Sequence, residues 1–274
     1  MIKTVLLTGA AGSIGSALRR ELKGVYGELR LADIRAINDV GPGETFHRVD
    51  IADAGALNAA MKGVDGVIHM AGQSVEADWE AVHRQNIVGL YNLYEAARGA
   101  GVKRVIYPSS NHAVGFYPRN RRVGARAIFR PDGRYGVSKA FGELVAALYA
   151  DKYGIGSLCI RIGNANDKPI DKRRLSIWVS WRDLAQLVRI GLEHPDIHFE
   201  IVYGVSDNER SWFDNATANQ LGYRPQDRAE DYAVEVLAKE PPEDPGKVGP
   251  RVIGGTFADE EYVGDPDRIE KFRY

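Results

Sequence analysis

The stretch Thr8-Gly9-Ala10-Ala11-Gly12-Ser13-Ile14-Gly15 follows an apolar run, Val5-Leu6-Leu7, and opens a helical pattern of Ile14, Ala17, Leu18 and Leu22. This order reads as strand, tight glycine turn and helix. Unpaired backbone N–H groups and the positive end of a helix dipole meet at such a turn, which makes it an anion site. Gly9 permits the turn, Gly12 lets the backbone approach a pyrophosphate, and Gly15 lets the helix pack on the strand. The spacing is Gly-x-x-Gly-x-x-Gly rather than the commoner Gly-x-Gly-x-x-Gly, so the turn alone leaves a ligand-free βα turn open.

Working outward, strands are expected at 4–7, 28–32, 45–49, 67–70, 104–107, 156–162 and 198–203. Helical patterns are expected at 54–61, 79–100, 135–153, 181–194 and 214–221. The alternation predicts an α/β fold: a Rossmann-type, doubly wound parallel sheet of about seven strands, covered on both faces. Residues 1–163 form the expected dinucleotide-binding domain with the catalytic groups. Residues 164–274 form a small substrate-capping C-terminal region, parts of which return to the main sheet. The four prolines of 239–250 predict an extended run.

Composition narrows the functions. The chain has 274 residues, 44% hydrophobic and 27% charged, with a net charge of −1. That balance gives no argument for nucleic acid or a membrane surface as partner. No apolar run approaches the length of a bilayer span. The first strand begins at once with Ile2 and Val5, without a basic, apolar leader, so a cytoplasmic protein is expected. The single cysteine, Cys159, excludes an internal disulfide and a cysteine-rich zinc site, and reads as a core thiol. No ligand cluster suggests a metal.

Asp33 ends the second strand about twenty residues beyond the glycine turn. A carboxylate there accepts hydrogen bonds from both hydroxyls of an adenosine ribose and repels a 2′-phosphate, which favours NAD over NADP. Arg35 is read as solvated. The expected cofactor contacts are Gly9, Ala11, Gly12, Ser13, Ile14 and Gly15 of the turn, then Asp33, Asp50, Ile51, Ala71, Gly72, Asn86, Tyr135, Lys139 and Asn164. Asp50 and Ile51 would flank the adenine, Ala71-Gly72 would pass close to the cofactor, and Asn164 would meet the nicotinamide carboxamide.

Tyr135-Gly136-Val137-Ser138-Lys139 places tyrosine and lysine on one helix face. An ammonium beside a phenol lowers its pKa and makes it a base. Ser110, after the fifth strand, supplies a hydroxyl that could orient the same substrate oxygen. Alone, Tyr-x-x-x-Lys also arises by chance on a helix face.

Together the Gly9/Gly12/Gly15 turn, Ser110 and Tyr135-x-x-x-Lys139 resemble the extended branch of the short-chain dehydrogenase/reductase superfamily. Asp214-Asn215…Leu221-Gly222-Tyr223-Arg224-Pro225 is similar to its C-terminal region. Ser109-Ser110-Asn111-His112, the run 86–98, Arg173-Arg174-Leu175-Ser176 and Gly254-Gly255-Thr256-Phe257 resemble the uronate dehydrogenase family within that branch, over nearly the whole chain.

The resemblance implies NAD as oxidant and a hexuronate as substrate, oxidised at C1 to the aldaric acid lactone. It implies Tyr135 as general base, Lys139 as its activator and Ser110 as third member of the triad. Ser74, Ser110, Asn111, His112 and Tyr135 would meet the sugar, Arg173 its carboxylate, and Phe257 would close the pocket. Arg173 stands in a basic cluster with Lys168, Lys172 and Arg174, which on its own reads as a solvated loop. Members often form homo-oligomers through the helices at 79–100 and 135–153, whose outer faces here show no decisive apolar stripe.

Two other functions remain open in the sequence. One is a nucleotide-sugar epimerase or dehydratase of the same branch, with the basic run 119–130 binding a diphosphate. The other is a non-catalytic dinucleotide sensor, which would not need an activated phenol.

Overall fold

A computed structural model describes residues 2–244 and 246–271. Seven parallel strands form the central sheet: β1 Thr4–Thr8, β2 Glu28–Asp33, β3 Glu44–Arg48, β4 Gly66–His69, β5 Arg104–Ser110, β6 Gly156–Ile162 and β7 Phe199–Gly204. Their spatial order is β7-β6-β5-β4-β1-β2-β3. The chain therefore winds away from β1 in both directions, and a crevice opens at the carboxyl ends between β1 and β4, where such sheets bind ligands.

The helices covering the sheet are α1 Ser13–Glu21, α2 Ala54–Ala60, α3 Gly89–Ala100, α4 Arg134–Tyr153 and α5 Trp181–Glu193. Strand alternation sorts the core into two layers. Val5 and Leu7 of β1 pack with Leu18 of α1 and Leu184, Leu187 and Val188 of α5. Leu6, between them, faces the opposite layer with Leu57 of α2, Leu93 of α3 and Tyr149 of α4. Every one of these side chains is at most 2% exposed. Cys159 lies in the second layer, and burial pushes its thiol well above the usual range.

The segment 79–100 differs from the single helix that periodicity predicts. A short helix at Trp79–Val82 passes through a π-helical turn at His83–Val88 into α3. The wider turn falls at Asn86, next to the cleft, where π segments often serve a site.

Residues beyond 163 are only partly separate from the sheet. They supply β7, which pairs with β6 from Phe199↔Ser157 to Gly204↔Ile162, and they supply α5. Of the remainder, Arg173 and Arg174 at the start of the short helix Arg174–Ile177, together with Thr256 and Phe257, line the cleft at the carboxyl ends of the strands. In 239–250, Pro245 lies outside the described residues, and the run closes in a 3-10 turn at Gly249–Arg251 instead of staying extended. No helix among the described residues is long and apolar enough to cross a membrane, and they hold no His/Cys/Asp/Glu group that could hold a metal.

Candidate active site

The carboxyl ends of the strands enclose a cleft of about 740 Å³. Its floor is the glycine turn. Gly9 has φ +67°, and a Cβ there would stand 2.4 Å from the Met70 carbonyl carbon. A Cβ on Gly15 would stand 2.1 Å from the Gly9 carbonyl oxygen. Both positions exclude a side chain because two strand ends and a helix converge on one point. Gly12 precedes α1, and no side chain caps that helix. Its first-turn N–H groups therefore point into the cleft as anion donors.

Asp33 lies at the end of β2, 8% exposed, and lines the cleft. Its Oδ2 accepts from the Ala11 N–H at 2.9 Å and its Oδ1 from the Arg35 N–H at 2.9 Å. The carboxylate is thus fixed with lone pairs left over for ribose hydroxyls. The Arg35 side chain stays largely in solvent, its Nε 3.7 Å from Asp33. Ala11 does not line the cleft; its N–H orients Asp33.

Asp50 also lies outside the cleft lining. It pairs with Arg84 at 2.6 Å, and this partner pulls its carboxyl below the ordinary range. Its neighbour Ile51 does line the cleft. Asn86 is buried beneath. Its Oδ1 accepts from the Gln73 N–H at 2.8 Å, and its Nδ2 donates to the Gln73 carbonyl at 3.0 Å and to Ser138 Oγ at 2.9 Å. Both N–H groups of that amide are spent within the chain, and Asn86 lies outside the cleft lining. It ties the Ala71–Gln73 loop to the helix carrying Tyr135. Asn164, after β6, lines the cleft with a buried Oδ1 that has no partner. A turn of free N–H groups, a fixed carboxylate and an orphaned amide oxygen, spaced along one cleft, fit a dinucleotide.

The reacting end is built by β5 and α4. Tyr135 lies in the first turn of α4, and its phenol shares a hydrogen bond with the Ser110 hydroxyl. Lys139 is one turn on; its Nζ donates to the Pro108 carbonyl at 2.7 Å and lies 5.4 Å from the Tyr135 ring centroid. The sequence leads one to expect a phenol lowered by this ammonium. The structure reverses the direction. Burial pushes Tyr135 up to about 12, the Ser110 bond pulling down and the Asp132 charge pushing up. Burial also lowers Lys139 to about 8. Desolvation penalises both charged forms more than they support each other across that gap.

On the far side of the phenol, His112 stacks on Phe257 with centroids 4.1 Å apart and meets Tyr135 edge-on at 5.8 Å. Its Nδ1 lies 2.7 Å from Asp132 Oδ2. Arg173 reaches the same cleft. Its Nε–H donates to the Ile253 carbonyl at 2.9 Å, and among the described residues no carboxylate pairs with it. Burial lowers this guanidinium to about 10.

Asn111 departs from the expectation that it lines the sugar. It is 0% exposed and outside the cleft lining. Its amide donates to the Ile162 carbonyl at 3.1 Å and accepts from Arg173 Nη2 at 3.1 Å. It therefore holds Arg173 from behind. Ser74 and Phe257 line the cleft as expected.

The model described as NAD dependent epimerase/dehydratase family matches residues 5–168. A uronate dehydrogenase of Pseudomonas putida is 45% identical over 93% of this chain and 95% of its own. A crystal structure of a uronate dehydrogenase variant from Agrobacterium tumefaciens, complexed with NAD, is 42% identical, covering 95% of this chain and 98% of that one with a TM-score of 0.91. A glucuronic acid dehydrogenase structure from Chromohalobacter salexigens is 40% identical, covering 97% and 99%, with a TM-score of 0.92. This chain belongs to the NAD-dependent epimerase/dehydratase family, among the uronate dehydrogenases.

Two residues of this uronate dehydrogenase family member escaped sequence reasoning. Asp132 sits in Pro131-Asp132-Gly133, which reads as an ordinary turn; only folding shows it buried against His112. Glu76 looks like a surface acid, yet its Oε1 and Oε2 accept the backbone N–H groups of Arg134 and Tyr135 at 2.8 and 2.9 Å. The absence of a Ser, Thr, Asp or Asn directly before α4 was the available hint, since Gly133 occupies the cap and leaves N–H groups to be met from elsewhere.

Proposed function

We propose that this chain, an NAD-dependent oxidoreductase of the uronate dehydrogenase type, oxidises a cyclic hexuronate at C1 to the aldaric acid lactone, with Tyr135 as the base. The observation that carries the reading is Arg173, a desolvated guanidinium without a carboxylate partner, in the same cleft as the buried Tyr135–Ser110 pair. A guanidinium fork held this way suits a substrate carboxylate and discriminates against a neutral hexose.

The glycine turn would hold the pyrophosphate, Asp33 the adenosine ribose, Ile51 the adenine, Ala71-Gly72 the passing backbone of the cofactor, Lys139 the nicotinamide ribose and Asn164 the carboxamide. NAD, when bound, would supply the hydride acceptor for C1. Tyr135 takes the O1 proton, and the Ser110 hydroxyl orients that oxygen. Ser74 and His112 meet ring hydroxyls, and Phe257 closes the pocket. A single, deeply buried thiol suits a cytoplasmic enzyme.

The alternative epimerase reading would place a diphosphate on the basic run 119–130, where three of the cations are already engaged within the chain. Arg119 donates from Nε and Nη2 to the carbonyls of Val252 and Gly249, both at 2.9 Å, and stacks over Trp212. Arg122 donates to the Phe213 carbonyl, and Arg130 stacks over Tyr117. Arg119 and Arg122 thereby hold the C-terminal region in place. The test is absorbance of reduced cofactor with glucuronate and galacturonate, NAD and NADP side by side. NAD reduction by a uronate is expected; no signal with either, together with turnover of a UDP-sugar, overturns the reading.

A further inference from the structure

The Asp132 carboxylate has no exposed surface, and its Oδ2 lies 2.7 Å from His112 Nδ1. Its Oδ1 is buried without a partner. Two glycines close over it. A Cβ on Gly115 would stand 2.1 Å from Oδ2, and one on Gly254 would stand 1.7 Å from it. Gly254 also donates its N–H to the Gly115 carbonyl at 2.8 Å. Two separate stretches of chain thus give up side chains to admit one carboxylate. A buried carboxylate with an unmet oxygen is costly to fold. Holding His112 in place does not require that cost, because Phe257 already stacks on the ring at 4.1 Å with planes 20° apart.

What the carboxylate adds is a choice of tautomer. An ionised carboxylate only accepts hydrogen bonds. It therefore fixes the proton of a neutral imidazole on Nδ1 and leaves Nε2 as a lone pair. The ring lines the cleft beside Tyr135, 8% exposed. Its unspent nitrogen is thus an acceptor.

We propose that Asp132 is a positioning residue of the sugar site: it fixes His112 as the Nδ1–H tautomer, so that Nε2 accepts a hydrogen bond from one ring hydroxyl of the hexuronate. The proposal rests on the hexuronate reading above. It deepens it by giving the recognition a polarity. At that point of the ring the enzyme requires a donor, and a deoxy or O-methyl sugar fails there. With Asp132→Asn the neighbouring amide can donate to Nδ1. The other tautomer becomes available, and it turns Nε2 into a donor facing the hydroxyl.

The experiment is a double-mutant cycle on uronate oxidation with Asp132→Asn, His112→Ala and the pair, run with the 2-, 3- and 4-deoxy hexuronates. Asp132→Asn is expected to lower kcat/KM for the full substrate by about tenfold or more, the value of one well-made hydrogen bond, with NAD affinity unchanged. In the His112→Ala background the same substitution is expected to leave the ratio of kcat/KM between the full and deoxy sugars within about twofold, because that discrimination passes through the imidazole while the Asp132 charge on Tyr135 acts on every sugar alike. One deoxy sugar should be a poor substrate for the wild type and lose that handicap in both single variants. Where Asp132→Asn no longer binds NAD, Asp132→Ser takes its place in the cycle with the same expectation. Additive losses in that ratio, or unchanged discrimination among the deoxy sugars, overturn the role of Asp132 while leaving uronate oxidation standing. A wild type inactive on every hexuronate overturns both.

Discussion

Asn111 Oδ1 accepts from Arg173 Nη2 at 3.1 Å while its Nδ2 donates to the Ile162 carbonyl at the end of β6. The guanidinium is therefore anchored to the central sheet from behind and to Ile253 through Nε. It is pre-set toward the cleft before any substrate arrives, and little side-chain freedom remains to be lost on binding. Replacing Arg173 with Ala removes a charge-assisted pair in a desolvated site, worth a few kcal/mol. KM for the uronate should rise on the order of a hundredfold, with a smaller change in kcat. Asn111→Ala should move KM the same way by less. Steady-state kinetics with uronate at saturating NAD reads both, and an unchanged KM in Arg173→Ala places the carboxylate elsewhere.

Glu76 bridges two parts of the site. Its carboxylate accepts two N–H groups at the start of α4, and its own loop carries Ser74. A carboxylate at a helix N-terminus gains from the dipole as well as from the bonds. Glu76→Gln keeps the shape but loses the charge and one acceptor. It should cost on the order of 1 kcal/mol, or about 2–4 °C in Tm. Turnover should fall alongside, since Tyr135 is one of the two tethered residues. Thermal unfolding and kcat measured on the same preparation check this; a lower Tm with unaltered kcat would confine Glu76 to stability.

The fold was legible because its evidence is local and periodic. The run Val5-Leu6-Leu7 before Gly9, and Asp33 at the end of β2, carry a strand-turn-helix pattern that needs no partner elsewhere. The same holds for Tyr135 and Lys139, four apart on one helix. What stayed hidden depends on contacts distant in sequence. Asn86 looked like a cofactor ligand because nothing local shows that Gln73 and Ser138 consume its amide. Asn111 looked like a sugar ligand because its partner Arg173 lies some sixty residues on. Asp132 and Glu76 looked like turn and surface acids, since burial of a short polar side chain leaves no periodic trace. The direction of the Tyr135 shift was missed for a related reason. Spacing reports that an ammonium is near, but not how much water both groups have lost.

That shift gives the oxidation a definite pH profile. The base needs an ionised phenol, and burial sets Tyr135 at about 12 in the free enzyme. The supporting ammonium of Lys139, lowered to about 8, is lost above that pH. Below about 8 each unit of pH gains phenolate at no cost in ammonium. Above it the gain and the loss offset each other. The quantity kcat/KM should therefore climb nearly tenfold per unit below about 8 and level off above it. Tyr135→Phe should abolish turnover and leave NAD binding nearly intact. A profile flat from pH 6 to 8, or activity surviving in Tyr135→Phe, removes the phenol from the base role.

His69 ends β4 beneath the glycine turn, 3% exposed, with Nδ1 2.8 Å from Thr8 Oγ1. Burial, helped by the nearby Lys139 charge, lowers its pKa from the ordinary 6.5 to about 3. Between those two values the unfolded chain binds a proton that the folded chain refuses. Unfolding therefore becomes easier as pH falls through that window, and the contribution is fully present above 6.5. At 1.36 kcal/mol per unit, this one imidazole should cost about 2 kcal/mol of stability by pH 5. His69→Gln keeps a polar group facing Thr8 and has nothing to titrate. Urea unfolding of both proteins at pH 7 and pH 5 isolates the term, because the surface carboxylates are common to the two. The wild type should lose about 2 kcal/mol more than the variant over that interval. Equal losses would mean that His69 takes up its proton within the folded state, with the Thr8 contact opening to let water in.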